Sequence, residues 1–191
     1  QLVDKGKIVP ISMKQRYLQD LATKIDIASI KSAGVRILYD AMYGAGQNAL
    51  RDLLPDVTMM HETFNPSFEG VNPEPLAHNL TELSRRVKTE GFHIGIATDG
   101  DADRIGAVDE NGNFVDSHRI FSLLLKYLVE QKGLSGEVVK SFSVTQMVNN
   151  QCAKYGLTMH ETAVGFKHIC RLMTERDVLI GGEESGGLGV K

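Results

Sequence analysis

The sequence predicts an α/β protein of two consecutive domains, residues 1–115 and 116–191, each with its strands layered against helices. Three observations predict it. Short apolar runs of strand length alternate with amphipathic runs of helical period, the rhythm of α/β layers with helices on both faces of a sheet. That rhythm pauses at a β-hairpin and restarts after Asp116. A length of 191 residues allows one large or two small domains.

Each element follows from its local pattern. Ser12 and Gln15 have the spacing of a capping box, opening a helix to about Ala28 with Tyr17, Leu18, Leu21 and Ile25 on one face. Val35–Tyr39 reads as a strand, 40–46 as a glycine-containing turn, and the run to Leu54 as a helix. A second strand covers 57–61. A Pro- and Asn-rich loop follows over 63–75, and then an amphipathic helix over 76–89 with Leu76, Leu80, Leu83 and Val87 on one face. His93–Ala97 is a short strand, and Ile105–Val108 with Phe114-Val115 forms a hairpin turned by Asn111-Gly112. The second half gives a helix over 118–131, a strand over 137–142, a helix over 145–155, a strand over 157–160, a helix over 167–174 and a strand over 178–180. Both halves open with strand, small-residue loop and helix, an echo too faint to read as a repeat.

The densest chemistry lies in Thr98-Asp99-Gly100-Asp101-Ala102-Asp103-Arg104. Three carboxylates at alternate positions repel one another, and the repulsion is severe where water is scarce. A cation between them relieves it. The donors are all hard oxygens, with no His or Cys nearby, which selects Mg²⁺ ahead of Mn²⁺ or Ca²⁺. The loop sits at the C-terminal end of a strand, where open α/β sheets hold their ligands. An EF-hand is the competing reading, because Asp99, Asp101, Asp103 and Glu110 fall at its positions one, three, five and twelve. Its position six requires glycine, which is Arg104 here, and a strand follows rather than a helix.

Asp99 to Arg104 resembles the metal-binding loop of the α-D-phosphohexomutases, the family of phosphoglucomutase and phosphomannomutase. The family's usual loop is Asp-Gly-Asp-Gly-Asp-Arg; Ala102 replaces the second glycine and places a Cβ there. Gly182-Glu183-Glu184-Ser185-Gly186 resembles the family's sugar-binding loop, Gly-Glu-x-Ser-Gly. Thr162 to Lys167 is similar to the Thr-x-x-Gly-(aromatic)-Lys segment of the phosphoglucomutase branch, and Phe64 to Pro75 to a Pro-rich loop of the second domain. The motifs span nearly the whole chain in the family's order.

The resemblance implies mixed sheets flanked by helices, and a chain covering the second domain and most of the third of a four-domain enzyme. It implies Asp99, Asp101 and Asp103 as Mg²⁺ ligands and Arg104 as a catalytic cation beside the transferred phosphoryl group. Glu183 and Ser185 would bind sugar hydroxyls, and Lys167 a phosphate or sugar oxygen. The partners would be a phosphorylated hexose, glucose or mannose phosphate, and the enzyme's remaining domains. The reaction would interconvert hexose 1- and 6-phosphates through a phosphoserine and a bisphosphorylated sugar, with phosphoglucomutase favoured. The family's phosphoserine loop, Ser-His-Asn-Pro, does not occur in the chain, so the chain alone is expected to be inactive. Glu184 stands at the variable position and receives no role. Neither His160 nor His168 has a carboxylate at useful spacing, and both read as structural.

Composition sets the outer limits. A net charge of −3 with no basic cluster gives no reason to expect nucleic acid. No apolar run reaches the roughly 18 residues of a membrane helix, and residues 1–5 carry no signal-peptide core. Cys152 and Cys170 form neither a metal spacing nor a disulfide framework, which suits a reducing cytoplasm. Two other functions fit parts of the pattern. One is a Mg²⁺-dependent phosphatase of the Asp-x-Asp type, although Arg104 stands where Thr or Val is usual. The other is a non-catalytic module that binds a divalent ion.

Overall fold

The computed structural model describes residues 5–9 and 11–191. Residues 1–4, in the stretch read for a signal peptide, lie outside it. The first sheet holds β1 (Ile37–Asp40), β2 (Thr58–Met60), β3 (Ile94–Thr98), β4 (Ile105–Asp109) and β5 (Phe114–Val115) in the order β2-β1-β3-β4-β5. Both β2 and β3 run parallel to β1, whereas β4 and β5 are antiparallel additions. The second sheet holds β6 (Glu137–Ser141), β7 (Met159–Thr162), β8 (Val178–Gly182) and β9 (Leu188–Val190) in the order β7-β6-β8-β9. Here too the first three strands are parallel and the fourth is antiparallel. Apart from β5, the two sheets therefore share one topology, and the faint echo in the sequence is a repeat of architecture.

Helices cover both faces. In the first unit α4 (Thr81–Glu90) lays Leu83 and Val87 on Leu38, Ala97 and Val108. The opposite face packs Tyr39, Ala41 and Ile96 against Leu50, Leu53 and Leu54 of α3 (Ala49–Leu53) and its end, and against Ile27 of α2 (Ile27–Ser32). In the second unit α5 (Ser117–Lys126) and α6 (Gln146–Tyr155) bury Phe121, Leu125, Val148 and Cys152 on one face. The helix α7 (Phe166–Glu175) buries Ile169 on the other. Each fully buried Leu, Val or Phe contributes about 1.5–3 kcal/mol relative to exposure, so both units have cores of their own.

Several element boundaries differ from the sequence reading. The helix read over 12–28 is two helices, α1 (Lys14–Lys24) and α2. The break is at Ile25, which is extended, and the Asp26 carboxylate then caps α2 by accepting from Ser29 N–H at 2.9 Å. The capping box does not form, because Met13 occupies the N-cap position and no side chain caps α1. The apolar face of α1 holds no buried residue. The helix read from Leu76 begins at Thr81, since 76–80 form turns tied to the Pro-rich loop. The helix over 118–131 is α5 followed by one wider π turn, Tyr127–Gln131. The strand β9 escaped the sequence reading, being three residues set among glycines.

Candidate functional site

The shared topology puts two loops in equivalent places. Each joins the third, parallel strand to the antiparallel fourth: residues 99–104 between β3 and β4, and 183–187 between β8 and β9. Thr98 pairs with Ile105 and Gly182 with Leu188, so both loops are held at their feet by ladder hydrogen bonds. The Asn111-Gly112 hairpin follows β4, and Glu110 lies in its turn. This excludes the helix–loop–helix of an EF-hand.

The aspartate loop is built around Asp99, whose residue is only 1% exposed. One carboxylate oxygen accepts the backbone N–H groups of Asp103 and Arg104, each at 3.0 Å. The other accepts Arg104 Nε–H at 2.7 Å. Burial pushes the Asp99 carboxyl up, but the backbone and guanidinium hydrogen bonds of Arg104 and its charge overcome this and hold it below the usual aspartate value. Burial, together with the charges of Asp99 and Asp101, raises Asp103. Oxygens of Asp99, Asp101 and Asp103 lie within 4.8 Å of one another. The donor set, three converging carboxylates with two exposed, fits a hard divalent cation. Ala102 adopts φ 63°, a left-handed conformation that glycine takes freely and a Cβ resists. The loop at 43–46 also supports the site from behind: a Cβ on Gly44 would stand 2.7 Å from the carbonyl oxygens of Asp99 and Gly100, so only glycine fits.

Arg104 is shared. Its Nη1 reaches Glu74 Oε1 of the Pro-rich loop at 3.3 Å while Nε holds Asp99. Its guanidinium is therefore aimed by two carboxylates and remains one-third exposed. The sequence reading gave Glu74 no role, and its neighbourhood of prolines carried no signal for one.

The second loop is equally ordered. Glu183 Oε1 accepts the Ser185 hydroxyl at 2.7 Å, and Oε2 accepts Gly165 N–H at 3.1 Å. Glu183 thus ties its loop to the start of α7. Glu184 turns the other way: its carboxylate accepts the hydroxyls of Ser141, at 2.8 Å, and Ser143, and its carbonyl accepts the Ser117 hydroxyl. Burial acts to raise the Glu184 carboxyl, but the two serine hydrogen bonds prevail and lower it.

The loops face each other. Asp101, Ala102, Asp103 and Arg104 line one side of a cleft of about 630 Å³; Glu183, Ser185, Gly187, Leu188 and Phe166 line the other. At Gly186, φ is 102° and a Cβ would stand 3.1 Å from the Ile105 carbonyl oxygen, so the two loops touch here. The aspartate-loop and Glu-x-Ser motifs are brought into one cleft. Lys167 sits in the first turn of α7 beside Phe166; it is exposed and is not among the residues lining the cleft. His160 has a partner that the spacing hid, Glu137 Oε2 at 2.7 Å from Nε2, because β6 and β7 are neighbours. That pair lies at the start of β6, the opposite end of the sheet from the cleft.

Comparison with known proteins decides the lineage. A family model described as phosphoglucomutase/phosphomannomutase alpha/beta/alpha domain II matches residues 15–112, and the domain III model of the same family matches 116–191. The chain belongs to the α-D-phosphohexomutase family. It is 30% identical over 176 residues to a phosphoglucomutase/phosphomannomutase of Thermococcus kodakarensis, covering 90% of this chain and 38% of that protein. It is 33% identical to a probable phosphoglucosamine mutase of Methanosphaera stadtmanae, covering 92% and 38%. Among solved structures, a putative phosphomannomutase from Thermus thermophilus superposes with TM-score 0.88 at 34% identity, covering 94% of this chain and 43% of that one. The phosphohexomutase chain thus spans about two fifths of the length of such relatives. Their names divide among several sugars, so the preference for glucose read from the sequence is not established. Among the described residues no helix is long and apolar enough to cross a membrane. Cys152 is buried and Cys170 exposed, and both are free thiols.

Proposed function

We propose that the cleft is the shared metal and sugar site of a hexose phosphate mutase. The single observation that carries this is the convergence of the Asp99–Arg104 loop and the Glu183–Ser185 loop on one cavity. Asp99, Asp101 and Asp103 would hold Mg²⁺, which neutralises charge on a phosphoryl group when bound. Asp99 is already fixed by three hydrogen bonds, so it sets the loop's shape, whereas the exposed Asp101 and Asp103 are free to turn to the ion. Arg104 offers a charged planar donor to phosphate oxygens at the same side of the cleft. Across it, Glu183 accepts from sugar hydroxyls and Ser185 donates and accepts. Lys167, one residue from Phe166, remains in this reading as a surface cation for the outer part of a phosphorylated substrate.

The substrate class is a hexose phosphate, with glucose, mannose and glucosamine phosphates all within the range of the relatives' names. The remaining domains of a full-length protein would supply the phosphoserine. The test is the full-length protein incubated with hexose 1-phosphate, Mg²⁺ and a trace of the bisphosphate. Interconversion with the 6-phosphate, with no free phosphate, is expected. Steady release of inorganic phosphate would indicate the Asp-x-Asp phosphatase instead, and no turnover on any of the three sugars would leave only a divalent-ion module. The chain alone, which contains no Ser-His-Asn-Pro tetrapeptide, is expected to show no turnover in the same assay.

A further inference from the structure

The motif Gly182-Glu183-Glu184-Ser185-Gly186 contains two glutamates that do different things. Glu183 and Ser185 line the cleft, and Glu184, between them, does not. Its carboxylate is instead the acceptor for two serine hydroxyls, Ser141 from the end of β6 and Ser143 two residues on, both on the same oxygen. Ser141 is fully buried, so its hydroxyl needs a partner inside the protein. The Glu184 carbonyl is held separately by Ser117, the first residue of α5. Three hydroxyls of the second unit, from β6, the turn after it and α5, thus grip one residue of the loop.

The loop needs such a grip. It leaves β8 through Gly181-Gly182 and re-enters β9 through Gly186-Gly187, and glycine backbones lose the most freedom on ordering. The internal bonds Glu183 N–H to Gly187 O and Gly186 N–H to Glu183 O close the turn on itself. They do not set its direction relative to the sheet. Bonds to fixed outside partners do that: Glu183 makes one, accepting Gly165 N–H at the start of α7, and Glu184 makes three, accepting the hydroxyls of Ser141, Ser143 and Ser117.

We propose that Glu184 is a positioning residue for the sugar loop: by anchoring to Ser141, Ser143 and Ser117 it turns Glu183 and Ser185 into the cleft. The proposal rests on the reading of this loop as the sugar-binding element, and it goes beyond it by assigning the central position a role. A carboxylate is suited to this because it only accepts, so both hydroxyls can donate to it. Glutamine in the same place keeps one carbonyl oxygen where both bonds end, and should serve nearly as well. Alanine leaves the buried Ser141 hydroxyl with Ser143 alone, at 3.1 Å.

The test has two arms. In this chain, amide spectra of E184A should shift or broaden Glu183, Ser185 and Gly186 while the strands of the first sheet keep their positions; E184Q should restore the loop. In the full-length protein, E184A should lower kcat/KM for the hexose phosphate by about tenfold to a hundredfold, the range that misplacement by about 1 Å produces. The loss should fall mainly on KM. E184Q should recover to within a few-fold, and S141A/S143A should match E184A and add nothing to it when combined. Loop amides unmoved in E184A, or an E184A enzyme within twofold of wild type, overturn the proposal. So do losses that add when the serine and glutamate changes are combined. A loop that moves in a full-length protein with no activity on hexose phosphates would instead overturn the functional reading and leave the anchor standing.

Discussion

Replacing Asp99 should cost more stability than replacing any other carboxylate of the cleft, and the structure sets the size. Asp99 is buried and accepts three hydrogen bonds, two from backbone N–H groups and one from Arg104 Nε. Bonds to a charged partner contribute about 1.5–3 kcal/mol each, which gives a ceiling of roughly 4.5–9 kcal/mol for the three. The effective loss is smaller, because Arg104 is about one-third exposed and water can take over its freed donor. About 3 kcal/mol is the expected cost of D99N. In that variant the amide oxygen still accepts the backbone bonds, but its NH₂ faces the guanidinium, donor against donor. For a chain of this length 1 kcal/mol moves the thermal midpoint by roughly 2–4 °C, so the midpoint should fall by about 6–12 °C. The assay is thermal unfolding in EDTA, which removes any contribution of a bound ion. Asp103 is the internal control: its side chain is 73% exposed and is repelled by its neighbours, so D103N should stay within about 0.5 kcal/mol. A D99N midpoint within 2 °C of wild type, or a D103N loss equal to it, would refute the reasoning.

Other expectations follow from the same geometry. Ala102→Gly should raise stability by up to about 1 kcal/mol, since relief of the left-handed Cβ strain, roughly 1–2 kcal/mol, exceeds the added freedom of the unfolded chain; a lower urea midpoint would contradict this. Asp99 and Glu184 both have carboxyls lowered in the folded state, from ordinary values of 3.8 and 4.5. The unfolded chain therefore binds protons first, and the stability these groups contribute is present above those values and lost as pH falls through the lowered ones. The urea midpoint should drop steeply below about pH 4, and less steeply in D99N; identical acid limbs would count against it. Glu183→Ala should lower kcat/KM of the full-length protein by at least about tenfold in both directions. It should also loosen the start of α7, because Glu183 holds Gly165 N–H. Unchanged kinetics with a reduced midpoint would make Glu183 purely structural.

What the sequence allowed to be read follows a physical line. Elements with strong periodicity, such as β3, α4 and α6, were legible because their apolar spacing records the face they bury. The two loops were legible because their chemistry is local: three aspartates in five residues, or a carboxylate and a hydroxyl among glycines. What could not be read was set by contacts between distant segments. Nothing near Glu74 says that it reaches Arg104, thirty residues on. Nothing near Glu184 says that its partners are Ser141 and Ser143, and the pairing of His160 with Glu137 exists only because two strands are neighbours. The capping box at Ser12 failed for the opposite reason: a local pattern was present, but the helix began a turn's fraction later and Asp26 capped a separate helix. Nothing near Glu183 says that it holds the backbone N–H of Gly165, eighteen residues away.

The central claim is that the two loops form one site for a phosphorylated hexose and a divalent ion, and amide chemical-shift mapping of this chain tests it most directly. Titration with a hexose bisphosphate in the presence of Mg²⁺ should perturb residues 99–104 and 183–187 together, with a single saturation curve for both. Asp101→Asn should weaken the response at both loops. Perturbations confined to one loop, two curves with different midpoints, or shifts that avoid the cleft altogether would contradict the account.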